Sequence, residues 1–213
     1  MATMGGDMSR QYSFDYIDKD APQKQCDRLF CCIVPDPITA MLIEQRARSF
    51  HRNQGLARVI QSPVRQHISI WHIGDYGHLR EMDIEASRQA FARIFMREFD
   101  VTLNGFESFN NRRISRDGRP HRPLVVKAEG EGFYELSMQV CHGLGLKSVP
   151  KQEYFKPHLT VSYGPELIEY QQMPPISFRA HELLLIHSEV GLSRYHVLHR
   201  RPFLVRDLID NKQ

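Results

Sequence analysis

The amino-acid sequence predicts an α+β protein with two pseudo-symmetric lobes of mostly antiparallel sheet, which carry flanking helices and face a central cleft. Two observations support this. Strand-like and helix-like segments do not alternate strictly along the chain, so a wholly parallel sheet is not expected. Each half also contains a strand, a helix and a short strand with a similar motif, His67-Ile-Ser-Ile or His158-Leu-Thr-Val. Such a repeat between the halves favours two similar lobes.

The spacing of apolar residues defines the predicted elements. Residues 1–25 show little periodicity and are expected to form a flexible N-terminal arm, followed by a single bilobal domain at 26–213. The amphipathic helix at 82–99 is expected to bury Ile84, Phe91, Ile94 and Phe95 on one side. Strands are predicted at 28–34, 66–73, 101–109, 124–128, 157–163, 176–189 and 195–204, and helices at 38–50, 82–99 and 133–146.

The composition is typical of a globular protein. Hydrophobic residues make up 41% of the chain, which is enough for a packed interior, and the formal net charge of +3 permits an anionic ligand without indicating one. No apolar run approaches the roughly 18 residues that cross a bilayer. The N-terminal residues lack the apolar core of a signal peptide. We therefore expect a cytoplasmic monomer that does not associate with membranes.

The four cysteines are expected to be reduced thiols that are mostly buried. They are Cys26, Cys31, Cys32 and Cys141, and they form no CxxC pair. A closed zinc site needs ligands at repeated short spacings, so these residues do not predict one.

The repeated motif places an imidazole beside a hydroxyl. Residues i and i+2 of a strand point to the same face, so His67 shares a face with Ser69, and His158 shares a face with Thr160. The apolar residues between them point into a core. Two such strands facing each other would hold two imidazoles and two hydroxyls around one small space. The alternative is that two unrelated strands each carry a surface pair, because a single copy of this pattern occurs by chance.

This set of groups fits a phosphodiester. Hydroxyls can donate hydrogen bonds to the non-bridging oxygens. One neutral imidazole can take a proton from water, while the other, protonated, can give one to the leaving oxygen. Histidine suits both tasks because its unperturbed pKa is about 6.5. His67 and His158 are therefore the candidate acid and base, and this chemistry requires no metal or other cofactor.

The chain resembles the 2H phosphoesterases and, within them, the LigT-like or 2′-5′ RNA ligase group. The resemblance extends beyond the two motifs. It includes the opening strand from Arg28, with the sequence RLFCCIVP, and Pro63 and Gly74 around the first motif. It continues with PHLTVSY from Pro157 and with the final pair of strands from Leu183. It covers about residues 27–205, with the elements in the same order.

The resemblance implies hydrolysis of 2′,3′-cyclic phosphates on RNA ends or nucleotides, or cleavage of 2′-5′ linkages, without a metal. It implies that His67 and His158 are catalytic and that Ser69 and Thr160 bind phosphate. By analogy His67 would be the acid and His158 the base, although the sequence leaves this assignment open. If the 3′ oxygen leaves, the product is a 2′-phosphate.

Tyr163 marks a departure from the family pattern. Many bacterial members have an arginine five residues after the second histidine, where this chain has a phenol that can donate to phosphate but brings no charge. The odd spacing places Tyr163 on the strand face opposite to that of His158. It would therefore reach the cleft, as a further substrate-binding residue, only if the strand bends near Gly164.

Several other residues could contribute to a site. His72 is expected to pack on the strand face opposite to that of His67. Trp71 is expected on the same face as His67 if the strand is regular, where it could stack on a base or pack at the strand end. The arginines of loop 112–122 could follow a nucleic-acid backbone or remain solvated. One of the histidines at 187, 196 and 199 could orient a catalytic group, but packed or solvated positions are the more common case for strand histidines.

Other functions remain open. A non-catalytic module could hold RNA ends or nucleotides in the same cleft, although binding phosphate does not require two titrating groups. Ligation, the reverse of 2′-5′ cleavage, is also compatible with the motifs. A metal hydrolase that uses the many histidines is less favoured, because no cluster of carboxylates and histidines stands out.

Overall fold

A computed structural model of the chain describes residues 26–111, 114–115, 118–146, 151–192 and 194–205. The predicted N-terminal arm and the arginines at 112, 113 and 116 lie outside the described residues. Short 3₁₀ helices occur at Pro63–Arg65 and Gln152–Tyr154. The main elements are β1 (Cys26–Ile33), α1 (Pro37–Gln54), β2 (Ile68–Tyr76), α2 (Glu81–Ala92), β3 (Phe99–Ser108), β4 (Arg122–Glu129), α3 (Gly132–Gly143), β5 (His158–Gly164), β6 (Gln171–Ala180), β7 (Glu182–Val190) and β8 (Arg194–Pro202).

The strands form one antiparallel sheet with the order β6-β3-β4-β5-β2-β1-β7-β8. Each half of this sheet contains four strands, and the innermost strand of each half carries one of the two histidine motifs. Within the described residues, β2 and β5 share a single registered pair, Ile68 opposite Leu159. The predicted α+β class is confirmed, and the two lobes are two halves of a continuous sheet that meet at a short seam.

The helices cover one face of this sheet. Ile43 of α1, Phe91 of α2 and Leu136 of α3 belong to one buried cluster, which also contains Ile68 and Leu159 from the seam. Each such side chain contributes about 1.5–3 kcal/mol when it is fully buried. The opposite face of the central strands is left to form the cleft.

The first helix has clear start and stop signals. The Asp36 carboxylate accepts a hydrogen bond from the Thr39 backbone N–H at 3.0 Å, and Pro37 occupies the first helical turn. Gly55 ends the helix in the left-handed conformation, with φ of 64°. α1 is therefore longer at its C-terminal end than the predicted helix at 38–50.

The second helix is shorter than predicted, because it ends at Ala92 instead of continuing to residue 99. The Gln139 side chain accepts a hydrogen bond from the Phe95 N–H at 2.7 Å and donates one to the Phe95 carbonyl at 3.0 Å. Ile94 is buried, but Phe95 is 69% exposed, so the prediction that Phe95 packs inward is wrong. A side chain from α3 thus holds this backbone in a non-helical path.

The predicted strand at 176–189 is two strands. β6 ends at Ala180 and pairs with β3, whereas β7 begins at Glu182 and pairs with β1, on the other side of the sheet. Alternation along a sequence does not reveal a change of partner strand, which explains the error.

None of the described helices is long and apolar enough to cross a bilayer. All four cysteines are free, and Cys31, Cys32 and Cys141 are buried, as expected.

Candidate active site

The two histidine motifs meet at the seam between β2 and β5. The registered pair is Ile68 and Leu159, which directly follow His67 and His158, and both are fully buried. One step along this antiparallel pair places His67 opposite Thr160, and Ser69 opposite His158. Each imidazole therefore lies across the seam from the hydroxyl of the other motif. The structure brings together the four side chains of the two motifs on the face away from the helices.

A cavity of about 1010 Å³ covers this part of the sheet. All five predicted site residues line it: His67, Ser69, His158, Thr160 and Tyr163. Its remaining walls include segment 57–65 between α1 and β2, and the hairpin between β7 and β8. The volume is at the upper end of the range of about 300–1,000 Å³ that is typical of small-molecule sites.

The two imidazoles are oriented in the same way. His67 Nδ1 lies 2.8 Å from the carbonyl oxygen of Arg65, and His158 Nδ1 lies 2.8 Å from that of Lys156. A carbonyl only accepts hydrogen bonds, so Nδ1 carries the proton in both rings. Nε2 is therefore the titrating nitrogen of each histidine. The same contact, to the residue two positions earlier, repeats in both halves.

Burial favours the neutral form of both imidazoles. Burial is the main cause that lowers the pKa of His67; the hydrogen bond to the Arg65 carbonyl opposes it, and positive charge on His158 and Arg65 adds to it, so that the pKa falls to about 4. Burial also lowers the pKa of His158, against the hydrogen bond to the Lys156 carbonyl. An anionic phosphodiester between the rings would restore protonation to one of them.

The two histidines have different neighbours. The His67 ring centroid lies 5.1 Å from that of Phe30 and 5.7 Å from that of Tyr195. The His158 ring packs edge-on against Phe109, with centroids 4.7 Å apart. The cleft is therefore pseudo-symmetric in its backbone but not in its side chains.

Arg65 adds a positive charge to the His67 side of the cleft. Its guanidinium carbon lies 5.0 Å from the Tyr195 ring centroid, and no carboxylate pairs with it among the described residues. Its Nε is buried and has no hydrogen-bond partner within the described part of the chain. The sequence analysis missed this residue. The only signal in the sequence was its proximity to His67, because Arg65 ends the 3₁₀ helix Pro63–Arg65 and strand alternation does not apply to it.

Tyr163 reaches the cleft through a β-bulge in β5. The register of β4 and β5 shifts between Thr160 and Ser162, so Val161 is an extra residue. Val161 and Ser162 are both fully buried, and Tyr163 returns to the cleft face. The predicted bend near Gly164 is therefore located earlier, at this bulge. Tyr163 stacks on His121, with ring centroids 4.7 Å apart.

A matching bulge in β2 corrects two predictions. The register of β1 and β2 shifts so that Ile70, three residues after His67, is the extra residue. Trp71 consequently packs against the main core instead of sharing the face of His67. His72 lies on the cleft side of the strand and contacts the Asp75 carboxylate at 3.0 Å. Both predictions assumed a regular strand.

Arg28 also lines the cavity, but a carboxylate pairs with its charge. Asp75 accepts hydrogen bonds from Arg28 at 2.7 and 3.1 Å. Burial alone would raise the pKa of Asp75, but hydrogen bonds from His72 and Arg28 outweigh burial and lower it to about 2. Arg65 therefore differs from Arg28 in having no such partner among the described residues.

Two of the three histidines on the last two strands bind carboxylates. His187 lies 2.7 Å from Asp27, and His196 lies 2.5 Å from Glu189. His199 packs edge-on against Phe91. Within the described part of the chain, no group of three or more histidine, cysteine, aspartate or glutamate residues could hold a metal ion.

The sheet order, the seam and the shared cavity define a LigT-like α+β fold. E. coli LigT in its apo form has a similar structure, with a TM-score of 0.60 and 21% sequence identity over 84% of this chain and 99% of that chain. TT0787 of Thermus thermophilus gives a TM-score of 0.60 and 20% identity over 82% and 97%. No family model matches the sequence, and no curated protein matches it. The predicted LigT-like fold is confirmed.

Proposed function

We propose that the protein is a phosphodiesterase that hydrolyses 2′,3′-cyclic phosphates on RNA ends or nucleotides, with His67 and His158 as its acid–base pair. One observation carries the proposal. Two imidazoles with identically fixed Nδ1 protons face the hydroxyls of each other's motif in one cavity. E. coli LigT, which has a similar fold, has been crystallised with phosphate and with 3′-AMP.

In this mechanism water attacks phosphorus while one Nε2 removes its proton. The P–O bond to one ribose oxygen breaks, and the other imidazole donates a proton to that oxygen. If the 3′ oxygen leaves, the product is a 2′-phosphate. The hydroxyls of Ser69, Thr160 and Tyr163 would donate to the non-bridging oxygens, and Arg65 would balance their charge.

Arg65 also favours one assignment of the two histidines. Burial lowers the pKa of both imidazoles, and the positive charge of Arg65 adds to this at His67, whereas His158 has the apolar Phe109 ring as its neighbour. A neutral imidazole is the form that accepts a proton. We therefore assign His67 as the base and His158 as the acid, the reverse of the assignment by analogy.

The first test is hydrolysis of the four nucleoside 2′,3′-cyclic monophosphates, with and without EDTA. We expect turnover that EDTA does not change, because the mechanism uses protein side chains and no metal ion. Chromatography of the products identifies the ribose oxygen that leaves. Turnover that is lost with EDTA would contradict the metal-independent mechanism. Absence of turnover, together with cleavage or ligation of a 2′-5′-linked dinucleotide, would favour the alternative RNA reaction, and binding without any turnover would favour a binding module.

Arg65→Ala should move the acidic limb of the pH profile of kcat/KM to higher pH. This limb reports the pKa of the base in the free enzyme. Without the guanidinium, the pKa of His67 rises from about 4, so activity is lost at a higher pH as the solution is acidified. Because burial lowers both pKa values, the wild-type maximum should lie below pH ~6.5.

Arg65→Lys serves as the control, since it keeps the charge and should keep the wild-type limb. Both variants should have lower kcat/KM than the wild type, because lysine cannot reproduce a bidentate phosphate contact. A shift of the alkaline limb in Arg65→Ala, with an unchanged acidic limb, would instead assign His67 as the acid.

A further inference from the structure

A second, shallower depression adjoins the cleft. It has a volume of about 290 Å³ and lies at the C-terminal end of α1. Arg48, Arg52 and Arg58 line it, and Arg58 and Ile60 also line the cleft. The two spaces therefore share a wall, formed by the short segment that leads from α1 towards β2. We call this second space the arginine depression.

Arg58 fixes a positive charge in the shared wall. Its side chain is 1% exposed, and its Nε and Nη2 donate to the carboxylate and the carbonyl of Glu166 at 2.7 and 2.9 Å. Its Nη1 is buried and has no hydrogen-bond partner among the described residues. Gly164 leaves room for this arrangement, because a Cβ there would overlap the guanidinium. Glu166 therefore uses only part of the donor capacity of Arg58.

Arg48 and Arg52 stand one helical turn apart on α1, so their side chains lie next to each other. Both are exposed. Arg48 pairs with Glu44 at 2.6 Å, and Arg52 donates to the Ser49 hydroxyl at 3.2 Å. Exposed pairs of this kind are weak. A phosphate can accept two parallel hydrogen bonds from a guanidinium and would compete well for both arginines.

The charges around the arginine depression favour an anion. Three arginines surround it, and the acidic groups among their hydrogen-bond partners are Glu44 and Glu166. His51, which also lines it, contacts the buried Ser162 hydroxyl at 3.1 Å, and burial together with the charge on Arg58 lowers the pKa of His51. A net positive charge therefore remains beside the cleft.

We propose that the arginine depression binds the backbone phosphate of a nucleotide upstream of the cyclic phosphate, so that the substrate is an RNA strand with a cyclic 3′ end. This inference rests on the proposed function, which places the terminal phosphate between His67 and His158. A strand that leaves the cleft over segment 58–60 passes Arg58 and reaches the two arginines of α1. Backbone contacts of this kind give affinity without reading the base sequence.

The test compares cytidine 2′,3′-cyclic phosphate with a fluorescently labelled hexanucleotide that ends in a 2′,3′-cyclic phosphate. Arg48→Ala/Arg52→Ala should lower kcat/KM for the hexanucleotide about tenfold and leave that for the mononucleotide unchanged. The slope of log(kcat/KM) against log[salt] should become shallower by about 0.7 for each phosphate contact that is lost. Hydrolysis of the mononucleotide also verifies that the variant has folded.

Arg46→Ala is the matched control. Arg46 is exposed on the same helix, about 200° around the axis from Arg48, and its replacement removes the same type of charge. It should change kcat/KM for either substrate less than twofold. Two results would overturn the proposal and indicate an effect of overall charge. In the first, Arg46→Ala lowers kcat/KM for the hexanucleotide as much as the double variant does. In the second, the double variant lowers kcat/KM equally for both substrates.

A binding measurement keeps the test independent of turnover. Fluorescence anisotropy of labelled RNAs with a 3′-phosphate, from one to six nucleotides long, should give an affinity that rises after the first nucleotide. The double variant should lose this gain. An affinity that does not depend on length would overturn the proposal even if the cyclic mononucleotide is hydrolysed. A different result would be that no substrate is hydrolysed, but affinity still rises with RNA length and this rise requires Arg48 and Arg52. The phosphodiesterase proposal would then fail, while the proposal of a strand-binding site at the arginine depression would stand.

Discussion

His67→Ala and His158→Ala are each expected to lower kcat for cyclic phosphate hydrolysis by about 10²–10⁴-fold. Each change removes an imidazole whose Nε2 is the titrating atom in the cleft. The pH profile should change as well. The variant that lacks the base should lose the acidic limb, and the variant that lacks the acid should lose the alkaline limb. Both are measured in steady-state assays with cyclic mononucleotides.

His181→Ala is the control for these two variants. His181 lies in the turn between β6 and β7, is 60% exposed, pairs with Glu98 at 2.8 Å and does not line the cavity. It should retain wild-type kcat. The double variant of His67 and His158 should be little worse than the poorer single variant, because the two imidazoles act as one unit. Full activity in either single variant would exclude the acid–base pair.

The positions of the two motifs in the fold follow directly from the sequence. Alternation predicts that Ser69 shares a face with His67, and that Thr160 shares a face with His158. The structure places all four side chains on one face, because the residues between them are fully buried in the core. Local strand geometry alone thus determines this part of the candidate site. The repeat between the two halves predicts the rest of the candidate site, because it implies that the face bearing His67 and Ser69 meets the face bearing His158 and Thr160.

Other features depend on contacts that a single sequence does not encode locally. Ile70 and Val161 resemble ordinary strand residues, yet both are extra residues at bulges that change the face of everything after them. Because of these bulges, Tyr163 faces the cleft and Trp71 packs against the main core. The stop of α2 depends similarly on Gln139, which is distant in sequence. Alternation assumes a regular ladder, and here the ladder is interrupted at the last residue of each motif.

The short seam links stability to the candidate active site. The two halves of the sheet share one registered pair within the described residues, and that pair is adjacent to both histidines. Beyond that pair, β2 and β5 share no further registered pair among the described residues. Side chains that pack at the seam therefore hold the two histidines at their separation as well as stabilising the core.

Leu159→Ala should consequently lower stability and kcat together. Leu159 is fully buried, and replacement of such a leucine by alanine lowers the free energy of unfolding by about 2–5 kcal/mol. Because Leu159 lies between His158 and Thr160, the cavity left behind should also let the seam shift. A displacement of about 1 Å in reacting groups can lower the rate about a hundredfold. Urea unfolding measures the first effect, and kcat at a temperature where the variant remains folded measures the second.

Leu103→Ala separates the two effects. Leu103 is equally buried, but it lies on β3. Two strands, β4 and β5, lie between β3 and β2 in the sheet. It should lower the free energy of unfolding by a similar amount, about 2–5 kcal/mol, and retain wild-type kcat under folded conditions. If the two variants lose the same stability and neither loses kcat, the seam stabilises the fold without positioning the histidines. A loss of kcat confined to Leu159→Ala means that the single registered pair determines the geometry of the acid–base pair.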